Sequence, residues 1–249
     1  MLSLALLVWA QFAGASGMTL DPKRVFPQDI LSQQLAAAAQ RGDIKRLQTL
    51  VAEGGNVKAA GLKDLTLPHF ALYAPNPDAL VWLIQQGADP VSRLPNNATV
   101  PHYAVAKEES KRKPTAAWIE PLLKLGVSPD LAGTEGDYTL LVLATIHKNR
   151  PAIRALKAAG ANMNLMRNPL DGTALHWALT GRDLDLAAEL ADLGVDPRIK
   201  QRLGQDQLDA AQQYCIYLSG TLSGPERQAS FTRLSAAFKK WGLDIPCGF

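Results

Sequence analysis

The chain has 249 residues, of which 47% are apolar and 20% charged, values that exclude a disordered polymer and permit an extensive core. A formal net charge of +3 gives no electrostatic case for nucleic acid. The two cysteines, Cys215 and Cys247, lack the spacing of a zinc site.

Residues 1–17 carry no charged side chain, and Leu2 to Ala10 form an apolar run of signal-peptide length followed by the small-residue site Ala13-Gly14-Ala15. The run is too short to span a bilayer as a lasting helix. These features predict a signal peptide over 1–17, cleaved near Ser16 or Met18, and an exported, periplasmic protein. A buried or disordered N-terminal segment is the other reading. Residues 18–28 read as a lead-in.

Gln33 to Arg41 reads as an alanine-rich helix, turned by Gly42-Asp43 into a second over Ile44 to Glu53, whose Ile44, Leu47, Leu50 and Val51 share one face. The next helix pair places Pro77 at the start of its second helix, where a missing N–H has no consequence. The third contains a charged stretch, Lys107 to Pro114, predicted as an exposed loop or an extended helix end. Asn149-Arg150-Pro151 opens the second helix of the fourth pair, and Asp183 is the expected N-cap in the fifth. Asp206 to Leu218 and Pro225 to Trp241 read as a final pair.

These pairs recur at a measurable period. The closing alanine of each Thr-x-x-x-x-Ala falls at Ala71, Ala104, Ala144 and Ala178, intervals of 33, 40 and 34 residues. The turn glycines fall at Gly54, Gly87, Gly126, Gly160 and Gly194. A period near 33 signals stacked repeats. Thr66-Leu67-Pro68-His69-Phe70-Ala71, Thr99-Val100-Pro101-His102-Tyr103-Ala104 and Thr173-Ala174-Leu175-His176-Trp177-Ala178 carry one motif, and the copy at Thr139 has Val142 in place of histidine. On these residues the chain resembles the ankyrin repeat family, in an exported bacterial form. The resemblance implies an all-α, ankyrin-type helix-pair solenoid of about six repeats, with short β-turn fingers and degenerate caps. Repeats would occupy 29–202 and a capping repeat 203–249. Inter-repeat layers should use Leu47, Leu50, Leu80, Leu83, Leu122, Ile153, Leu156, Leu175, Leu186 and Leu190.

The resemblance gives His69, His102 and His176 a structural role, each holding a turn against its first helix. No His-Glu-x-x-His, Gly-x-Ser-x-Gly or phosphate-binding loop occurs, so a non-catalytic chain without cofactor or metal is expected. Cys215 and Cys247 permit one disulfide in an exported protein, or stand as two thiols.

Ankyrin-like stacks bind partners through the concave side, formed by finger tips and first-helix ends. Carried over position by position, this implicates Arg41, Tyr73, Arg93, Lys107, Ile146, His147, Met166, Arg167 and Arg198. The basic row among them points to a protein partner with acidic patches, bound by a chain that is monomeric when alone and has no lasting membrane anchor. Convex-side charges such as Arg154 and Glu189 should matter little to binding. Two roles fit: scaffold or helper of a periplasmic protein, and an inhibitor of immunity type neutralising a toxin or effector enzyme delivered there.

Overall fold

The computed structural model describes residues 20–109, 113–134, 136–167, 172–199 and 225–245. The expected signal peptide, the helix at 206–218, Cys215 and Cys247 lie outside the described residues. Contact density divides the chain into two compact units. One holds the residues up to Lys107 together with Ala116–Val127, the other Glu108–Thr115 together with everything from Ser128. Each is built from ankyrin-type helix pairs.

The first unit opens with α1 (Pro22–Val25), α2 (Ile30–Arg41) and α3 (Ile44–Ala52). Aspartates set the helix starts by accepting from orphan N–H groups: Asp29 from Ser32 N at 2.9 Å, and Asp43 from Arg46 N at 3.0 Å. A finger turning at Leu62–Asp64 leads into α4 (Leu67–Ala71), followed by α5 (Asp78–Gln85), α6 (Val100–Ala104) and α7 (Ile119–Lys124). Helix α2 packs on α4, and α3 on α5. Leu47, Leu50, Leu80, Leu83 and Leu122 are wholly buried, as the apolar spacing predicts.

In the second unit two short strands from the insertion, β1 (Glu108–Glu109) and β2 (Lys113–Pro114), pair antiparallel, with Glu108 opposite Pro114. The charged composition predicted an exposed loop or an extended helix end, but pairing two short strands satisfies backbone groups that a loop would leave to water. The hairpin's return is anchored by buried Asn149. Its amide donates to the Thr115 carbonyl at 2.9 Å, while its oxygen accepts from Ala152 N at 3.1 Å and caps the following helix. Asn149 thus ties an insertion to a helix N-terminus 34 residues away.

A second hairpin, β3 (Ala132–Gly133) with β4 (Tyr138–Thr139), forms a finger before α8 (Leu140–Ile146) and α9 (Arg150–Ala158). Then come α10 (Ala174–Thr180), α11 (Leu184–Asp192) and α12 (Pro225–Lys239). Asp183 caps α11 through Leu186 N at 3.0 Å. Successive turns are stitched by short polar side chains: Asn162 N donates to Asp130, and Asp196 N to Asn164 at 2.7 Å. Ile153, Leu156, Leu175, Leu186 and Leu190 are wholly buried, and Phe231, Leu234 and Phe238 of α12 close the layer over α11. Glu189 is more than a solvated charge. Its side chain is 17% exposed and bridges Arg150 and Arg154, each at 2.7 Å.

Gly160 has φ +86°, with open space where a Cβ would stand. Its cost on substitution is therefore conformational alone. Gly160→Ala is expected to destabilise by about 1–2 kcal/mol in urea melts. An unchanged midpoint would show that the turn does not need the left-handed conformation.

Candidate binding surface

The repeat histidines come first, because they fix the frame of the surface. Thr66 N donates to His69 Nδ1 at 3.2 Å, and the Thr66 hydroxyl lies 2.9 Å from the same nitrogen. Thr99 and His102 repeat this at 3.2 and 2.7 Å. Burial pushes the His69 pKa down to about 4, so the ring is neutral at pH 7. An Nδ1 that accepts from the Thr66 amide puts the ring proton on Nε2, and that atom is buried without a hydrogen-bond partner. His176 differs. It is half-buried, with Nε2 3.2 Å from the Thr180 hydroxyl, one helical turn on. His69 and His102 thus hold the amides of their threonines, and His176 contacts the next turn of its own helix.

In the first unit, Arg41 stands exposed in the last turn of α2. Tyr73 follows α4 and is 38% exposed, its phenol pKa raised by partial burial. Arg93 is exposed but folded back on its own finger, donating to Asn97 at its carbonyl (3.1 Å) and its side-chain oxygen (2.7 Å). Lys107 is half-buried over the Trp118 ring, 4.7 Å from its centroid, and desolvation lowers its pKa. Sequence reasoning placed all four on one row. The structure leaves Arg41 and Tyr73 exposed and gives Arg93 and Lys107 local structural contacts.

In the second unit, Ile146 and His147 end α8 half-buried, and Met166 is half-buried at the next finger. Arg167 is exposed and pairs with Asp137 at 3.3 Å. Arg198 grips Asp196 with two nitrogens, at 2.9 and 2.8 Å, and stacks 5.3 Å over Trp241. The hydrogen bond from Arg198 lowers the Asp196 pKa. These pairings offset much of the positive charge that the sequence alone assigned to this row.

Two features escaped sequence reasoning. Tyr138 and Trp177 meet edge to face at 5.5 Å, and the Trp177 indole N–H is buried without a partner. Leu62, at a finger tip, is 60% exposed. Neither pattern has a periodicity to betray it. Only the fold brings Tyr138 to Trp177, and a leucine reads as core until its finger is seen.

No protein-family profile matches the sequence. The chain is 30% identical over 155 residues to a putative palmitoyltransferase, ZDHHC13, of the zebrafish Danio rerio; the match covers 61% of this chain but only 23% of that protein's length. Among solved structures, an ankyrin repeat domain from Acinetobacter baumannii superposes with TM-score 0.64 at 22% identity, covering 82% of this chain and 97% of that one. A chain in the complex of the predatory endopeptidase Bd0816 of Bdellovibrio bacteriovorus with immunity protein Bd3460 gives TM-score 0.62 at 21% identity, with the same coverage of 82% and 97%. These similarities show the ankyrin-type fold.

Proposed function

We propose that this chain is a non-catalytic protein-recognition module of the periplasm, binding its partner through the finger tips and first-helix ends. The observation that carries this reading is the exposure of Tyr73. A large amphipathic side chain stands 38% exposed two residues past a helix, Leu67 to Ala71, whose residues are all buried. Tyrosines held at rigid positions are the residue type on which interfaces concentrate their affinity. The apolar, uncharged residues 1–17 support export.

A second reading, inhibitor or immunity-type protein, is supported by the likeness to the complex that contains an immunity protein. Under it the partner is an enzyme whose activity falls on binding; under the first, the partner's activity persists. Tyr73→Ala is expected to weaken partner binding by about 2 kcal/mol in titration calorimetry, with the thermal midpoint little changed. Unchanged affinity would remove Tyr73 from the interface.

A further inference from the structure

We propose that the first unit carries an acid-sensitive opening at α4, through which a fall in pH withdraws the segment bearing Tyr73 while the helix pairs of the second unit stay closed. What acid does to the chain alone is independent of the recognition reading; what that means for a partner rests on it.

Helix α4 has five residues, too few to hold a helix unaided, and all of them are buried. Its start depends on His69, whose Nδ1 accepts from the Thr66 amide. The ring is 3% exposed, and its Nε2 is buried without a hydrogen-bond partner. An imidazolium has two N–H donors. The Thr66 hydroxyl, 2.9 Å from Nδ1, could take one, but the Thr66 amide would then face that proton and the second donor would stay unmet. Nor does a carboxylate stand ready to balance the charge. From α6 the ring meets Tyr103, edge-on at 6.4 Å. The ends of α2 carry Asp29 and Arg41, and α5 starts with Asp78. The finger carries Lys63 and Asp64, and the turn after α5 carries Asp89 and Arg93. All seven are exposed, whereas the ring is not. Burial therefore keeps His69 neutral. His102 repeats the arrangement with Thr99 and is 4% exposed. Around it, Glu120 and Lys124 of α7 are exposed and Lys107 lies over Trp118.

The second unit is built differently at the same motif position. Val142 of α8 has no proton to gain. His176 of α10 is half-buried, and although burial lowers its pKa too, its Nε2 lies 3.2 Å from the exposed Thr180 hydroxyl, an acceptor for an added proton. His147 is half-buried at the end of α8. Acid thus charges a closed site in the first unit and a partly open one in the second. When α4 opens, His69 returns from a pKa of about 4 to the ordinary 6.5, so opening is favoured as pH falls through that window. From pH 7 to pH 5 this one ring raises the opening equilibrium roughly 20-fold. Tyr73, two residues past α4, moves with it.

Hydrogen exchange of the full-length chain without any partner, at pH 7 and pH 5 and corrected for intrinsic rates, reads the opening directly. Amides between Thr66 and Tyr73 are expected to lose protection roughly 20-fold at pH 5, and those of α8 to α11 less than about threefold. His69→Asn should bring the first loss below about threefold as well. The wild-type comparison needs no variant, so a His69→Asn chain that fails to fold leaves the test standing. Equal losses in the two units would overturn the local opening in favour of a global one. Unchanged protection between Thr66 and Tyr73 would overturn it outright, and a loss that persists in folded His69→Asn would assign it to another group. Tyr73→Ala calorimetry at pH 7 bears on the recognition reading alone, and its failure would leave the acid opening in place.

Discussion

Leu186→Ala is expected to destabilise the second unit by about 3 kcal/mol. Leu186 lies in the first turn of α11, where its own N–H is held by Asp183 at 3.0 Å. Its side chain is wholly buried in a helix packed against both α10 and α12. The backbone there is fixed by the cap, so the helix cannot slide to fill the space that the shortened side chain leaves. The loss should therefore include the cavity term as well as the transfer term, roughly 2–4 kcal/mol in all. Urea melts followed by far-UV circular dichroism give the value, and an unchanged m-value shows that the same surface is exposed. Stacked helix pairs touch mainly their neighbours, so the second unit can melt ahead of the first, and a two-step transition is compatible with the account. A change below about half a kilocalorie per mole would mean that Leu186 does not fill a layer.

The second large effect is acid sensitivity at His69. Its pKa of about 4 in the folded chain lies below the ordinary histidine value of 6.5, and burial is the cause. The folded state therefore resists a proton that the unfolded state accepts. Stability is fully present above pH 6.5 and is lost as pH falls from there towards 4. Between pH 8 and pH 5 the loss from this one group should be about 2 kcal/mol. Protonation would also put an N–H of the ring opposite the Thr66 amide, which now donates to it. His69→Asn keeps an acceptor near that amide but does not titrate. Its melts should lose about 2 kcal/mol less than wild type over the same pH range. Equal losses in the two proteins would show that His69 is not the acid-labile group.

Much of the fold was legible because repeats write it several times. The Thr-x-x-x-x-Ala frame and the turn glycines set the register, and the nine leucines and one isoleucine assigned to the layers are all wholly buried. Asp183 and Asn149 were readable as helix openers because capping is a local rule. The pairing of residues 108–109 with 113–114 was not, since no local pattern announces it or the Asn149 contact to Thr115 beside it. Nor was the bridging role of Glu189, whose partners Arg150 and Arg154 sit on another helix. The candidate surface was legible by position only. Homologous repeat positions located Tyr73, Arg93, Lys107, Arg167 and Arg198, but side-chain chemistry redirected most of them. Arg93 turns to Asn97, Lys107 to Trp118, Arg167 to Asp137 and Arg198 to Asp196. Exposed charge finds the nearest acceptor, opposite charge or ring, and that choice is tertiary.

The central claim is that recognition runs through the fingers and first-helix ends and leaves the second helices out. Site-specific photo-cross-linking in cells tests it most directly. A photoreactive residue is placed in turn at Tyr73 and Arg167, and at the exposed second-helix positions Lys45 and Lys157. The account predicts that the first two capture one and the same protein, and that the second two capture none. Equal capture from Lys45 or Lys157, or adducts only from those positions, would contradict it.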